Sequence, residues 1–258
     1  MNPGAGTGNG TTPVGFGSPH RHFRRADSTN ERAKELALAG APGGLVVTAD
    51  EQTAGRGRRG NEWFAPPGSC LLYSALLRPF AAAGVGLLPL AVPVAVCEAA
   101  EEVAPMRCQV KWPNDVWVDE RKVAGVLVEA RPDEGWAVIG VGLNVAIPPE
   151  EFPAELRETA ASLLPTEAEG GVPAGGAPGV RRALAALNQS LGRWTAASDD
   201  EVLAAFRARD ALCGREISWQ GGEGIAEQID ERGHLVVEKA DGERVALGAG
   251  EVHLAVDG

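Results

Sequence analysis

The chain has 258 residues, a formal net charge of -11 and four cysteines, and these features narrow the possible functions. Its length suffices for one large domain, or for one domain with a small second unit, and either can bury a sizeable core. The acidic charge argues against the broad basic surface that binding to nucleic acid usually requires, so any cationic site must be local.

The cysteines and the apolar segments of the chain favour a cytoplasmic protein. Cys70, Cys97, Cys108 and Cys213 are scattered and form no Cys-x-x-Cys pair, which favours buried free thiols over disulfides or a zinc site. No stretch approaches the roughly 18 to 20 uncharged apolar residues of a membrane span. Residues 1–19 lack the apolar run of a signal peptide. We therefore expect no membrane partner and no nucleic-acid partner.

The N-terminal segment is predicted to be a flexible tail that leads into a first helix. Residues 1–19 are rich in Gly, Thr and Pro and have no periodic apolar pattern, which is typical of a disordered tail. The sequence Ser-Thr-Asn-Glu at 28–31 is typical of a capping box, in which a hydroxyl and a carboxylate satisfy free N–H groups of a helix that ends at Gly40.

The remainder of the first part is predicted to be α+β. Segments rich in Val, Leu and Trp, bounded by Gly, Pro or Asp, predict strands at 45–49, 70–77, 109–112, 123–129 and 136–145. Two helical patterns, at 87–103 and 181–209, can cover the resulting sheet. Residues 165–180 are rich in Pro, Gly, Ala and Glu and are predicted to be a loop.

The C-terminal part has a different pattern, beginning near Arg215. Short alternating segments predict strands at 216–219, 224–229, 235–238, 244–247 and 251–254. Turn sequences separate them, among them Arg232-Gly233 and Asp241-Gly242. This pattern predicts a small antiparallel β-barrel.

The sharpest local motif is Gly-Arg-Gly-Arg-Arg-Gly at residues 55–60, followed by Trp63. Arginine side chains bind phosphate or carboxylate through two parallel bonds, and glycines let backbone N–H groups approach a ligand. Three arginines in an acidic chain therefore predict an anion site, although a solvated basic turn is the alternative interpretation. The motif fits neither a Walker loop nor a dinucleotide fingerprint.

A second motif, Lys-Trp-Pro-Asn-Asp at 111–115, places an amide and a carboxylate on a turn after a strand. Asp115 could hold magnesium or accept a proton. The alternative is an ordinary Pro-Asn-Asp turn with Trp112 in the core. Lys122 follows a predicted two-residue turn, Asp119-Glu120, and precedes an apolar strand, so it is expected beside the core.

A third motif, Ile-Gly-Val-Gly-Leu-Asn at 139–144, lacks side chains at alternate positions of a predicted strand. Glycines on one face of a sheet can leave a groove in which a flat ligand touches the backbone. Tight packing of the sheet is the alternative.

These motifs in this order, with Ser28-Thr29-Asn30 ahead of them and Ala161-Ser162-Leu163 after them, resemble the catalytic domain of biotin protein ligases. The resemblance implies a class II synthetase-like fold over residues 20–210, with a mixed β-sheet flanked by helices. It implies an SH3-like β-barrel over residues 211–258. Biotin and magnesium-ATP would give an enzyme-bound biotinyl-adenylate, from which a lysine of a biotin carboxyl carrier domain of an acyl-CoA carboxylase displaces AMP.

The resemblance also implies roles for individual residues, several of which belong to more than one set. The biotin-binding residues would be Ser28, Thr29, Asn30, Gln52, Gly55, Arg56, Gly57, Arg58, Lys122, Gly125, Gly140 and Gly142. The ATP-binding residues would be Arg56, Arg58, Arg59, Trp63, Lys111, Asn114 and Asn144. The catalytic residues would be Lys122, near the biotin carboxylate, Arg58 in the covering loop, Lys111, facing phosphate, and Asp115, placed for magnesium or the incoming amine.

Several alternatives and departures accompany the resemblance. A lipoate ligase or octanoyl transferase is similar in fold but lacks the Gly-Arg-rich loop, and a silent biotin sensor would keep the pocket without turnover. Bifunctional relatives carry a DNA-binding segment, whereas only 27 residues precede Ser28, so we expect a ligase without repressor activity. Asn61 and Ala255 stand where some relatives are basic, which puts ATP contacts from the barrel in doubt. Monomer and homodimer are equally expected.

Overall fold

The computed structural model describes residues 15–80, 86–164 and 178–254. Its first and larger sheet has seven strands, with bounds β1 His20–Phe23, β2 Val46–Ala49, β3 Cys70–Leu77, β4 Gln109–Lys111, β5 Asp115–Val118, β6 Arg121–Arg131 and β7 Trp136–Asn144. The helices are α1 Thr29–Leu38, α2 Leu88–Val103, α3 Pro178–Trp194 and α4 Asp199–Arg207.

The strand order in the larger sheet is β1-β2-β3-β7-β6-β5-β4. β1 and β2 are parallel, and every other neighbouring pair is antiparallel, so the sheet is mixed and the predicted α+β class is confirmed. In the centre, Gly142 of β7 lies opposite Gly125 of β6 and opposite Leu72 of β3. Leu72, Gly142 and Gly125 therefore lie side by side across three neighbouring strands in the middle of the sheet.

Helices cover both faces of this sheet, which explains why β3 is buried along its whole length. The main core lies on one face and contains α2 side chains such as Val92 and Val96, together with Leu187 of α3 and Phe206 of α4. A smaller cluster on the other face packs Ala33 of α1 against the sheet. A central strand that is buried on both faces has a continuous apolar sequence, as 70–77 does.

Two helix predictions are corrected. The pattern at 181–209 is two helices, because Ser198 forms a capping box with Glu201 and begins α4 after a break. The capping box predicted at 28–31 is wrong: Ser28 is the N-cap of α1, but its side chain makes no capping bond. The reciprocal bond is absent as well, because the backbone N–H of Ser28 donates to Asp27 Oδ1 at 2.6 Å and the Glu31 carboxylate accepts from Lys34 and Arg56.

The second sheet contains β8 Glu216–Trp219, β9 Gly222–Ile229, β10 Leu235–Glu238, β11 Arg244–Leu247 and β12 Val252–Leu254. Its order is β11-β10-β9-β8-β12, and all pairs are antiparallel. The Nε1 of Trp112 donates to the carbonyl of Gly233 at 3.1 Å, and Ile217 and Leu235 belong to the main core. The second sheet is therefore packed firmly on the first unit.

Other predictions meet the structure at single positions. Asp119 and Glu120 both have positive φ, at 48° and 62°, so the predicted turn before Lys122 is confirmed. Cys70, Cys97 and Cys108 are buried free thiols, whereas Cys213 is exposed. Most of the predicted tail (1–14), most of the predicted loop (165–177) and Ala255 lie outside the described residues. Within the described ranges, no helix has the length and apolar character needed to cross a membrane.

Candidate active site

A cavity on the α1 face of the larger sheet brings together most of the residues that the motifs predicted. Predicted residues that line it are Ser28, Thr29, Asn30, Gln52, Arg56, Gly57, Arg58, Arg59, Trp63, Lys111, Asn114, Asp115, Lys122, Gly125, Gly140 and Gly142. They come from α1, the segment after β2, and strands β4 to β7, which are far apart in sequence. The fold alone makes them one site.

The floor of the cavity is a patch of bare backbone at Gly140, Gly142 and Gly125. A Cβ added at Gly140 would lie 2.2 Å from Oδ1 of Asn30, and one at Gly142 would lie 2.3 Å from the Trp63 indole. A Cβ at Gly125 would lie 3.0 Å from the same indole. A Cβ at Gly140 or Gly142 would therefore collide with the group above it, and one at Gly125 would crowd the Trp63 indole, which is the physical reason for glycine at these positions.

The polar end of the cavity is formed by the N-terminal turn of α1 and by Gln52. Ser28, Thr29 and Asn30 are 4–6% exposed. The backbone N–H and the hydroxyl of Thr29 both lie within hydrogen-bond distance of Gln52 Oε1, at 2.7 and 3.0 Å. The hydroxyl of Ser74, on β3, donates to Asn30 Oδ1 at 2.6 Å. These buried polar groups are held in fixed orientations, as a specific polar ligand requires.

The Gly-Arg-rich segment folds into a small hairpin over the cavity. Gly57 N donates to Asn61 O at 2.7 Å, and Trp63 N donates to Gly55 O at 3.1 Å. The turn is closed by Arg59, which has a φ of 56°. Because left-handed backbone is costly for a residue with a Cβ, this arginine is held against its preference.

Two arginines of this hairpin are anchored to different walls of the cavity. Arg56 Nη1 donates to Glu31 Oε1 of α1 at 3.0 Å. Arg58 Nη1 donates to Asn114 Oδ1 at 3.1 Å, and Asn114 Nδ2 donates to the carbonyl of Val126 at 3.1 Å. The hairpin therefore bridges the helix and the second motif.

A cluster of cations lies at the other end of the cavity. Lys122 Nζ lies 2.7 Å from Asp115 Oδ1, a close ion pair without the alignment of a hydrogen bond. Lys111 Nζ lies 5.0 Å from the centroid of the Trp117 ring. Burial lowers the pKa of Lys111, and the like charge of Lys122 adds to the effect, whereas Asp115 opposes it.

The pKa of Arg58 is lowered in the same way as that of Lys111. Burial lowers its pKa, and the neighbouring Arg59 adds to this, whereas Asp115 and Glu251 oppose it. For both cations, burial lowers the pKa by more than the nearby carboxylates Asp115 and Glu251 raise it. An anionic ligand at this end would stabilise the positive charges of Lys111 and Arg58.

Trp63 roofs the glycine floor between the two ends. Its ring lies over Gly142 and Gly125, and Lys122 Nζ lies 5.6 Å from the ring centroid. Its Nε1 is buried without a hydrogen-bond partner. Trp112, in contrast, is 2% exposed in the main core, as predicted for that tryptophan.

Sequence reasoning missed part of the site. Gly250, Glu251 and Val252, at the start of β12, also line the cavity, so the second sheet contributes a wall to it. The prediction had directed attention to Ala255 instead. A glutamate in a Gly-Glu-Val sequence after a strand is a common turn pattern, so nothing in the local sequence identifies Glu251.

Two predicted residues lie outside the cavity lining. The side chain of Asn144 is buried below the site, where its Nδ2 donates to the carbonyl of Ala161 at 3.0 Å. Gly55 lies at the base of the hairpin, where an added Cβ would lie 3.0 Å from Gln52 Nε2. Both residues shape the neighbouring backbone, and their direct ligand contacts stay predictions.

The donor set does not fit a magnesium site built by the protein. Within the described ranges, no three His, Cys, Asp or Glu side chains come close enough to hold a metal ion. The carboxylate closest to the lysines, Asp115, is already paired with Lys122. The magnesium role of Asp115 stays a prediction.

Sequence and structure comparisons relate this chain to known proteins. The profile of the Biotin/lipoate A/B protein ligase family matches residues 22–145. The biotin–(acetyl-CoA-carboxylase) ligase of Mycobacterium tuberculosis is 33% identical over 255 residues, with 93% of this chain and 91% of that protein covered. This chain belongs to the biotin protein ligase family. The resemblance seen in the motifs is thereby confirmed.

Two further comparisons define the extent of the match. The bifunctional ligase/repressor BirA of Bacillus subtilis is 40% identical over 140 residues, which cover 53% of this chain but 43% of that protein. The chain thus spans less than half the length of that relative. The biotin protein ligase of Aquifex aeolicus, solved in complex with biotin and ATP, has a TM-score of 0.73 at 26% identity, with 92% and 99% of the two chains covered.

Proposed function

We propose that this biotin protein ligase family member couples ATP cleavage to the attachment of biotin to a lysine of a carrier protein, through a biotinyl-5'-AMP intermediate. One observation carries the proposal: a glycine-floored cavity has fixed polar groups at one end and under-compensated cations at the other. Biotin has a polar ureido ring, an apolar body and a carboxylate. Its two ends match the two ends of the cavity.

In the first half-reaction, a biotin carboxylate oxygen would attack the α-phosphorus of ATP, and pyrophosphate would leave. Lys122, Lys111 and Arg58 would hold the carboxylate and the phosphates together and offset the charge that builds as the bond forms. The three side chains line one cavity, and two have depressed pKa values that an anionic ligand would relieve.

In the second half-reaction, the amine of the acceptor lysine would attack the acyl carbon of the adenylate, and AMP would leave. The attacking nitrogen must lose a proton, and Asp115, beside Lys122, is the carboxylate proposed to accept it. The hairpin with Arg56 and Arg58 would exclude water from the mixed anhydride until the acceptor arrives.

The finer features of the assembly are part of the same proposal. The five-stranded second sheet would be an SH3-like barrel, with boundaries at 20–210 for the catalytic domain and 211–258 for the barrel. The acceptor would be a biotin carboxyl carrier domain of an acyl-CoA carboxylase, because the M. tuberculosis relative is named for acetyl-CoA-carboxylase. Magnesium would enter with ATP, and the ligase would act in the cytoplasm as a monomer or homodimer.

The test is to incubate the chain with biotin, magnesium-ATP and a carrier domain, and to follow acceptor mass and AMP release. We expect a biotin-sized mass gain, one AMP per biotin, and loss of both in Lys122→Ala. Lys239→Ala, which removes a lysine of the β10–β11 hairpin, is the matched control and should retain activity. Transfer of lipoate instead, or biotin binding without AMP release, would overturn the proposal.

A further inference from the structure

A second layer of side chains lies behind the residues that form the polar end of the cavity, and its members do not line the cavity themselves. Ser74 and Glu129 do not line the cavity, yet both bond to Asn30, which does. Ser74 Oγ lies 2.6 Å from Asn30 Oδ1, and Asn30 Nδ2 donates to Glu129 Oε2 at 2.8 Å. Both ends of the Asn30 amide are therefore held from behind.

The chemistry of these partners fixes which end of the amide faces which way. An ionised carboxylate can only accept hydrogen bonds, so Glu129 requires the NH₂ end of Asn30 to face it. The oxygen end then accepts the proton of the Ser74 hydroxyl. With its oxygen and one N–H engaged, Asn30 keeps one N–H for a ligand acceptor such as a ureido carbonyl.

The same carboxylate also begins a chain of ionic contacts that reaches the hairpin. Lys34 Nζ donates to Glu129 Oε1 at 2.9 Å and to Glu31 Oε1 at 2.7 Å. Arg56 Nη1 donates to the same Glu31 oxygen at 3.0 Å. Lys34 is the least exposed member, with 19% of its side chain accessible, so the contacts at the centre of the chain are shielded from water.

Within this row of ionic contacts, each charged group stabilises the charge of its neighbour. Partial burial opposes the charge on Glu129, but the hydrogen bonds from Lys34 and Asn30 lower its pKa. Partial burial likewise opposes the charge on Lys34, but bonding to Glu31 and Glu129 raises its pKa. Glu129 is therefore an ionised acceptor at neutral pH, which the orientation of Asn30 requires.

We propose that Glu129 is a positioning residue that sets the biotin affinity of the site without touching the ligand. Through Asn30 it fixes the donor presented to the cavity. Through Lys34 and Glu31, both on α1, it links Arg56, and with it the hairpin, to β6. The inference rests on the proposed biotin site, and it adds a residue that the motifs did not identify.

The test is direct biotin binding by calorimetry, with Glu129→Gln as the variant. The substitution keeps shape but permits either amide orientation and leaves Lys34 without one partner. We expect the biotin Kd to rise about tenfold, the effect of losing a hydrogen bond to a charged group. In turnover assays, KM for biotin should rise while KM for the carrier domain stays unchanged. A general loss of folded enzyme would not produce this split. Glu223→Gln, at an exposed position of β9, is the matched control.

Two further variants keep the inference falsifiable. Lys34→Met leaves the Asn30–Glu129 bond in place and removes only the ionic contacts of Lys34 with Glu129 and Glu31. The fold-increase in the rate of proteolysis within the hairpin should therefore exceed the fold-increase in the biotin Kd. If Glu129→Gln does not fold, Ser74→Ala removes the hydroxyl that anchors Asn30 and that also lies 2.8 Å from Thr29 Oγ1. This variant should weaken biotin binding at least about fivefold, the effect of one neutral hydrogen bond. A Kd within twofold of wild type in the folded variant would overturn the inference. Absence of biotin binding by the wild type would instead overturn the proposed function.

Discussion

Substitution of Gly140 by alanine is a sharp test of the site geometry. The added Cβ would lie 2.2 Å from Oδ1 of Asn30 and 2.8 Å from its Cγ and Nδ2. Contacts this short are not tolerated, and β7 cannot yield because it is paired on both sides by β3 and β6. Asn30 must therefore move away and lose its bonds to Ser74 and Glu129.

The expected magnitude follows from the two lost bonds. A neutral hydrogen bond contributes about 1 kcal/mol, and one to a charged group contributes about 1.5–3 kcal/mol. The free energy of unfolding should therefore fall by roughly 2–4 kcal/mol. Biotin binding should weaken at least about tenfold, since about 1.4 kcal/mol corresponds to a factor of ten. Urea unfolding with and without biotin measures both quantities on one sample.

Gly142→Ala provides the comparison. Its added Cβ meets the indole of Trp63, which belongs to the hairpin and not to a buried helix. Because the hairpin can shift, stability should fall by less than about 1 kcal/mol while biotin binding is still impaired. Gly15→Ala, where no atom lies within 4 Å, serves as control. Equal destabilisation at Gly140 and Gly142, or unchanged biotin binding in Gly140→Ala, would refute the account of the floor.

Two further predictions concern the hairpin and the core. Arg58→Ala should release free biotinyl-adenylate faster than wild type, because its bond to Asn114 helps hold the hairpin closed; chromatography of the free adenylate would detect this, and unchanged release would count against the role. Glu101→Gln breaks a bidentate pair with Arg209, with contacts of 2.6 and 2.8 Å, and should cost about 1–3 kcal/mol in urea unfolding at pH 7. Although burial opposes it, the Arg209 bonds lower the pKa of Glu101. The contribution is therefore complete above the unfolded pKa of about 4.3 and should vanish as the pH falls through the lower folded value. A difference between wild type and variant that persists at that pH would be inconsistent with this pairing.

The long central elements could be predicted because burial dominates their sequence. The strand at 70–77 was predicted with its observed bounds, since a strand covered on both faces is apolar throughout. β1 and β5 were not predicted as strands. β1 reads His-Arg-His-Phe at an exposed edge, and β5 follows directly on the Pro-Asn-Asp turn, so neither carries an apolar period of useful length.

The site was predictable where its chemistry lies in contiguous motifs, and not where it depends on packing between distant segments. Arg58 and Lys111 stand out in sequence because arginines beside glycines, and a lysine before Trp-Pro-Asn-Asp, are unusual patterns. Glu129 is an ordinary glutamate near the end of a strand, and Glu251 lies on a short turn. Their relation to the cavity comes from strand pairing and from the second sheet, which only the folded chain reveals.

The most direct test of the central claim is a single turnover without acceptor. The chain would be mixed with biotin, ATP and magnesium, and the products separated after rapid quenching. We predict close to one biotinyl-adenylate and one pyrophosphate per chain, and loss of that adenylate with equal gain of biotinylated carrier when the acceptor is added. Biotinylated carrier formed with no adenylate intermediate, or adenylate that the carrier cannot consume, would contradict the account.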